Sequence, residues 1–212
     1  MVDAIDSFCQ KENANIELII VNDGSSTGVS AEKLAFIKEK VPQFKSVEYG
    51  ENKGKGYALR KGVEQASYDI VIYTDIDFPY TEESLVRVFA GLKNGHEVVL
   101  GHRGKDYYNN TPWFRKVVSK FLRWILKTFL RLPTDDSQCG LKGFNKKGAE
   151  VFCDTHINRF LFDMEFIKLA AKRKLNMVTV DAELKPEVVF SKVHPGILLR
   201  EVLNFFKVLF RK

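Results

Sequence analysis

Two aspartates one residue apart, Asp75 and Asp77, follow directly on the apolar run IVIYT. Alternate residues of an extended segment point the same way, so this spacing crowds two negative charges. A divalent cation relieves the repulsion, and hard oxygen ligands suit Mg2+ or Mn2+. A metal held there could bridge a diphosphate and stabilise it as a leaving group. Two solvated loop aspartates are the competing reading; the position at the end of a β-rich run favours a site. A second cluster, Asn22-Asp23-Gly24-Ser25-Ser26, ends the run IELIIV. The Asp23 carboxylate could accept hydrogen bonds from a base N–H or a ribose hydroxyl, as strand-end acids do in dinucleotide folds. A capping turn accounts for the same residues. The third segment is Asn52-Lys53-Gly54-Lys55-Gly56-Tyr57. Its glycines allow close backbone approach, and its lysines and the following helix N-terminus favour an anion. The alternative is a flexible basic turn. The GxxxxGK[ST] spacing of a P-loop is absent.

These clusters need elements to hold them. Short β-rich runs are expected at 16–21, 70–74, 98–100 and 177–180, and helices at 31–40, 57–66, 81–92, 146–152 and 163–174. Strands alternating with helices predict an α/β domain with a parallel, doubly wound sheet. Ligands of such sheets sit at the carboxyl ends of the strands, where both acidic clusters lie. A chain of 212 residues suffices for one such domain, and a hydrophobic content of 45% argues against disorder. The net charge of +6 favours anionic partners such as nucleotides, phospholipid headgroups or nucleic acid. Cys9, Cys139 and Cys153 form no CxxC and leave one unpaired in any disulfide scheme. A reducing, cytosol-facing compartment is the simpler reading. No apolar run reaches the roughly 18–20 residues of a spanning helix, and residues 1–10 lack the basic n-region of a signal peptide. Membrane contact is therefore expected to be peripheral.

The three clusters, in this order, resemble the GT-A domain of family 2 glycosyltransferases. The matching stretches are IVNDGSS, NKGKGYALRKG and TDIDFPY, continued by GHRG, DDSQCGLKGFNK and FDMEF. The later ones are similar to the polyprenyl-phosphate branch, the dolichyl-phosphate glucosyl- and mannosyltransferases. The resemblance implies a Rossmann-like, mostly parallel GT-A sheet flanked by helices over residues 1–195. It implies an inverting, metal-dependent transfer of sugar from a nucleotide-diphosphate sugar to a polyprenyl phosphate. Asp23 would contact the base, Lys53 and Gly54 would lie near the nucleotide, and Asp75 and Asp77 would meet ribose, metal and diphosphate. Arg103 would sit near the phosphates, and Gln138 to Lys142 at the acceptor side. Asp163 and Glu165 belong to an FDxE signature to which no role is assigned; a helix N-cap and first turn would explain both.

A sugar hydroxyl acceptor needs a general base, because its own pKa lies far above 7. A phosphomonoester is already an anion and needs only positioning and charge neutralisation. Lys142 and Arg103 are offered as cationic clamps for the latter, and Asp136 as the base for the former, so transfer to a saccharide hydroxyl stays open. Two departures stand out. The family opens with a strand and a PxYNE-type loop, whereas Met1 falls within the following helix. The expectation is a chain missing a central strand beside IELIIV, prone to self-associate, or a non-catalytic remnant. In addition, Pro79 stands where the dolichyl-mannose branch often carries a glutamine available to the metal.

Residues 113–132 (WFRKVVSKFLRWILKTFLRL) carry six basic residues and no acidic one. At 100° per residue, Lys116, Lys120, Arg123, Lys127 and Arg131 share a narrow stripe. Residues 196–212 repeat the scheme with Arg200, Asn204, Lys207 and Arg211. Basic amphipathic helices flanked by Trp and Phe suit an anionic membrane surface; a core helix with a solvated edge is the alternative. Nucleic-acid binding fits poorly, because the stripes are interleaved with aliphatic surface.

Overall fold

The computed structural model describes residues 2–27, 30–104, 134, 136–159, 161–186 and 188. Helix α1 (Val2–Glu12) leads into strand β1 (Leu18–Asp23). Helix α2 (Ala31–Lys40) starts where Ser30 accepts the Lys33 N–H, with Glu32 in its first turn and Lys38 and Lys40 in its last. Strand β2 (Phe44–Tyr49) pairs in parallel with β1, from Leu18 opposite Phe44 to Asp23 opposite Tyr49. Helix α3 (Lys55–Val63) packs on β1, where Gly62 lies against Val21 and Ile19.

A second sheet has the order β3 (Val71–Tyr73), β5 (Lys142–Phe144), β4 (Val98–His102), β6 (Met177–Asp181). β4 and β6 are parallel, but β5 runs antiparallel to both β3 and β4. The mostly parallel expectation is thus met in part: β1–β2 and β4–β6 are parallel, and among the described strands β5 alone runs against its neighbours. β5 is only three residues, KGF, and its lysine and glycine conceal it from any search for apolar runs. Gly143 lets α4 (Glu82–Lys93) pack closely on β5, because a Cβ there would press on the Leu92 and Val88 side chains.

β4 is buried on both faces. Val98 and Leu100 pack with Phe144, Phe152, Phe162 and Phe166, from β5, α5 (Lys146–Cys153) and α6 (Phe162–Lys172). Val99 faces the other way, onto Val88 and Leu92 of α4. Helices therefore cover both faces of this sheet, as the doubly wound expectation required. Full burial of such a side chain contributes about 1.5–3 kcal/mol. α1 joins α4 through an edge-to-face contact of Phe8 and Phe89 at 5.3 Å.

Among the described residues no ladder joins β1–β2 to the second sheet. The division falls beside the IELIIV strand, where the family resemblance places a further strand. No described helix is long and apolar enough to cross a membrane. The basic segments at 113–132 and 196–212, and the boundary expected at 195, lie outside the described residues.

Candidate functional site

Asp23, the last residue of β1, directs its carboxylate at the turn that opens α3. Oδ1 accepts the Lys53 N–H and Oδ2 the Gly54 N–H, both at 2.8 Å, and the Asn52 amide donates to the Asp23 carbonyl at 3.1 Å. The capping-turn reading is therefore realised. A carboxylate has about four acceptor positions, so two bonds fix Asp23 while leaving it able to accept from a ligand. The Lys53 ammonium lies 4.9 Å from the Tyr57 ring centroid and 5.9 Å from that of Tyr49. Burial, and then the Asp23 carboxylate beside it, push the Tyr49 phenol well above its ordinary range.

The glycines of this turn do permit close approach, but to the protein itself. A Cβ on Gly54, whose φ is +101°, would run into the Asn158 carbonyl, and one on Gly56 into the Ile157 carbonyl and Phe162. The Gly56 N–H donates to the Asn158 carbonyl at 2.8 Å.

β3 stops at Tyr73, and Ile76 and Asp77 form a turn. The alternation argued for Asp75 and Asp77 thus does not hold: Asp75 is partly buried and Asp77 exposed. The Phe78 N–H closes the turn on the Asp75 carbonyl at 2.9 Å, and Phe78 adopts φ +45°. That conformation costs a residue with a Cβ roughly 1–2 kcal/mol, offset by burial of the ring beneath the Lys185 ammonium, 4.7 Å from its centroid. Pro79 is buried, and its carbonyl accepts the Lys185 N–H at 2.9 Å, so it anchors the turn. The Asp75 carboxylate forms an ion pair with Lys55, the first residue of α3. It also lies flat against Gly140, where a Cβ would collide with it. The Tyr80 hydroxyl receives the Gly140 N–H at 2.8 Å. Gln138 sits on the same loop, its amide nitrogen buried with no hydrogen-bond partner among the described residues.

Two expectations change. Asp136 is buried and gripped by Arg103, whose Nε and terminal nitrogen reach its two oxygens at 2.9 and 2.6 Å while the Arg103 backbone N–H adds a third bond at 2.9 Å. Burial pulls the carboxyl upward, but those bonds and the guanidinium charge outweigh it and hold Asp136 below the usual carboxylate range. It is a counterion rather than an available base. Lys142 is fully buried in β5, ion-paired to Asp163 at 2.8 Å and donating to the Cys139 carbonyl. It is not an open clamp for an acceptor. Charge alone suggested both roles; their partners, 33 and 21 residues away in sequence, were not visible. Conversely, Tyr80 belongs to the site without having been given a role, and Lys55 and Gly140, expected only as part of an anion-favouring turn and an acceptor-side stretch, meet at the Asp75 carboxylate.

The family model for Glycosyl transferase family 2 matches residues 1–152, and the chain belongs to that family. It is 28% identical over 211 residues to the dolichyl-phosphate beta-glucosyltransferase of Drosophila melanogaster, covering 92% of this chain and 64% of that one. It is 27% identical over 202 residues to dolichyl-phosphate beta-glucosyltransferase ALG5C of Trichomonas vaginalis, covering 91% and 59%. The chain thus spans about three-fifths of these relatives' length. Among solved structures, mannosyl-3-phosphoglycerate synthase from Rubrobacter xylanophilus aligns with a TM-score of 0.70 at 15% identity, over 98% of this chain and 66% of that one. Glucosyl-3-phosphoglycerate synthase from Mycobacterium tuberculosis, in complex with Mn2+, UDP and glucosyl-3-phosphoglycerate, aligns with a TM-score of 0.67 at 13% identity, over 98% and 75%. At these identities the structures establish the GT-A glycosyltransferase fold.

Proposed function

We propose that this domain transfers a sugar, with inversion, from a nucleotide-diphosphate sugar to a polyprenyl phosphate at the cytoplasmic side of a membrane. The observation that carries the acceptor assignment is the Arg103 grip on Asp136. Asp136, the acid offered as base for a saccharide hydroxyl, is occupied, whereas a phosphate acceptor arrives ionised and needs no base. The names of the curated relatives support the same acceptor class. On the donor side, Asp23 offers acceptor positions to base or ribose, with Lys53 and Gly54 beside it. The free Gln138 amide would donate to the incoming phosphate.

Asp75 and Asp77 would hold Mg2+ or Mn2+. No group of three potential ligands occurs among the described residues. A pair of carboxylates fits nonetheless, because Mg2+ in phosphate sites is usually held by one or two carboxylates plus substrate oxygens. When bound, the cation would supply positive charge to the departing diphosphate. Lys55, already at Asp75, is placed to add to it.

The direct test incubates the protein with labelled uridine and guanosine diphosphate sugars and a short polyprenyl phosphate. Label should appear in the lipid product, fail to appear with unphosphorylated polyprenol, and stop appearing when chelator is added. Transfer to a free saccharide in preference to the lipid phosphate would overturn the acceptor reading.

The basic segment at 113–132 would provide the membrane contact. Each Lys or Arg near an anionic surface contributes roughly 1 kcal/mol. Changing Lys120, Arg123 and Lys127 to Glu should therefore sharply reduce sedimentation with phosphatidylserine vesicles. Unchanged sedimentation would return the segment to a soluble role. The edge of β1 that no described strand pairs is a route to self-association.

A further inference from the structure

Asp163 and Glu165 stand two residues apart in the first turn of α6, both buried, at 4% and 2% exposure. Helix capping does not explain them: the N-cap is Leu161, with no side-chain cap bond. Two carboxylates so buried are costly unless paired, and each is paired in a different direction. We propose that this Phe162–Phe166 signature is the positioning element of the donor site, bracing with one acid the loop against Asp75 and with the other the turn that holds Asp23. The inference rests on the donor-site reading given above.

The first brace runs through β5. Asp163 pairs with Lys142 at 2.8 Å and accepts from the Tyr73 hydroxyl. Lys142 in turn donates to the Cys139 carbonyl. Cys139 is joined to Gly140, the residue pressed against the Asp75 carboxylate and tied by its N–H to Tyr80. Tyr73 is the β-ladder partner of Lys142 and lies two residues before Asp75, so the same acid steadies both sides of that contact.

The second brace leaves from Glu165, which accepts the His156 and Ile157 N–H groups at 2.9 and 2.8 Å. This fixes a segment whose next carbonyl, that of Asn158, accepts the Gly56 N–H and touches Gly54. Arg60 of α3 secures the same segment through the Ile157 carbonyl at 3.1 Å and Thr155 Oγ1 at 2.9 Å. The Gly54 N–H completes the path at Asp23.

The braces can be cut separately. Removing only one of Lys142 and Asp163 would strand a buried charge, so the first variant is the double change Lys142→Met with Asp163→Leu, an apolar replacement that a fold can tolerate. It leaves the Cys139 carbonyl unheld. Tyr73→Phe, which deletes one hydroxyl, serves as a milder cut of the same brace. Glu165→Gln keeps a carbonyl acceptor but removes the charge.

Calorimetry with uridine and guanosine diphosphates, with Mn2+ and with chelator, is run alongside thermal melting. Loss of supporting groups around a metal typically costs about 10–100-fold in affinity. The double variant should lose at least about tenfold of the Mn2+-dependent affinity, and Tyr73→Phe about threefold, an ordinary hydrogen bond's worth. Both should keep the metal-independent part. Glu165→Gln should show the reverse, losing metal-independent affinity and keeping the Mn2+ increment. Variants that melt as single transitions and lose both components together, or neither, would overturn the proposal, as would a Tyr73→Phe profile like that of Glu165→Gln if the double variant fails to fold. A parent that binds no nucleotide would sink the donor-site reading itself. A parent that binds but transfers nothing to lipid phosphate would sink only the acceptor reading.

Discussion

Asp77→Asn is expected to remove the Mn2+-dependent binding of a nucleotide sugar and to leave the fold unchanged. Asp77 is exposed at the crest of its turn, and surface substitutions of this kind usually change stability by no more than about 0.5 kcal/mol. Its neighbour Asp75 is already neutralised by Lys55 and hemmed in by Gly140. With Asp75 half-exposed beside it, Asp77 therefore offers the more open anionic oxygens of the pair. Converting that carboxylate to an amide halves the formal negative charge offered to a divalent cation and replaces a strong hard ligand by a weak one. Calorimetry against uridine and guanosine diphosphate sugars would show affinity falling to the level seen in chelator. Binding indifferent both to the substitution and to chelator would remove the metal from the proposed chemistry.

The second large effect concerns stability. Asp136→Ala removes the carboxylate that the Arg103 guanidinium, only 15% exposed, grips with two nitrogens. Breaking a buried pair from one side costs about 3–5 kcal/mol, a large part of the roughly 5–15 kcal/mol that holds a domain together. The melting temperature at pH 7 should fall by many degrees. The pH dependence follows from the direction of the Asp136 shift. Its folded-state pKa is depressed, so its contribution is fully present above the unfolded value of about 3.9. It is lost as pH falls through the folded value. The stability difference between parent and variant should therefore be constant above about pH 4 and shrink as pH falls further, through the depressed folded value of Asp136. Equal melting temperatures at pH 7 would show that Arg103 finds adequate compensation elsewhere.

The sequence exposed some parts of this molecule and concealed others for identifiable reasons. Helix α2 lies at 31–40, where it was expected, with Ser30 as its cap. β3, β4 and β6 were visible as apolar runs because each packs against apolar side chains. β2 was not, since in FKSVEY Lys45, Ser46 and Glu48 interrupt the pattern of a half-buried strand. β5 was hidden by a lysine whose charge is cancelled by a residue on another element. The same asymmetry governs the site. The kinds of group present (acids at strand ends, a glycine-rich basic turn, an arginine) could be read from composition and spacing. Whether a given charge faces a ligand or another residue depends on pairings made by the fold. Arg103 with Asp136, Lys142 with Asp163 and Lys55 with Asp75 were all illegible in the chain. The glycines show the point most clearly: their need for close approach was evident, but the surface approached was the protein's own 157–158 backbone.

The division of the β-structure into two sheets has a consequence for how such a site can be altered. Among the described residues, Asp23 and Asp75 are not linked by a shared backbone ladder. Their relative placement depends on α3, which rests Gly62 on β1, sends Arg60 to the 155–158 segment and gives Lys55 to Asp75. A ladder is written in main-chain atoms and offers mutation nothing to change, whereas a joint made of side chains is editable one residue at a time. Tuning of donor preference, in the laboratory or over generations, therefore has an address: the half-exposed positions of one nine-residue helix, which reaches the carboxylates only through Lys55.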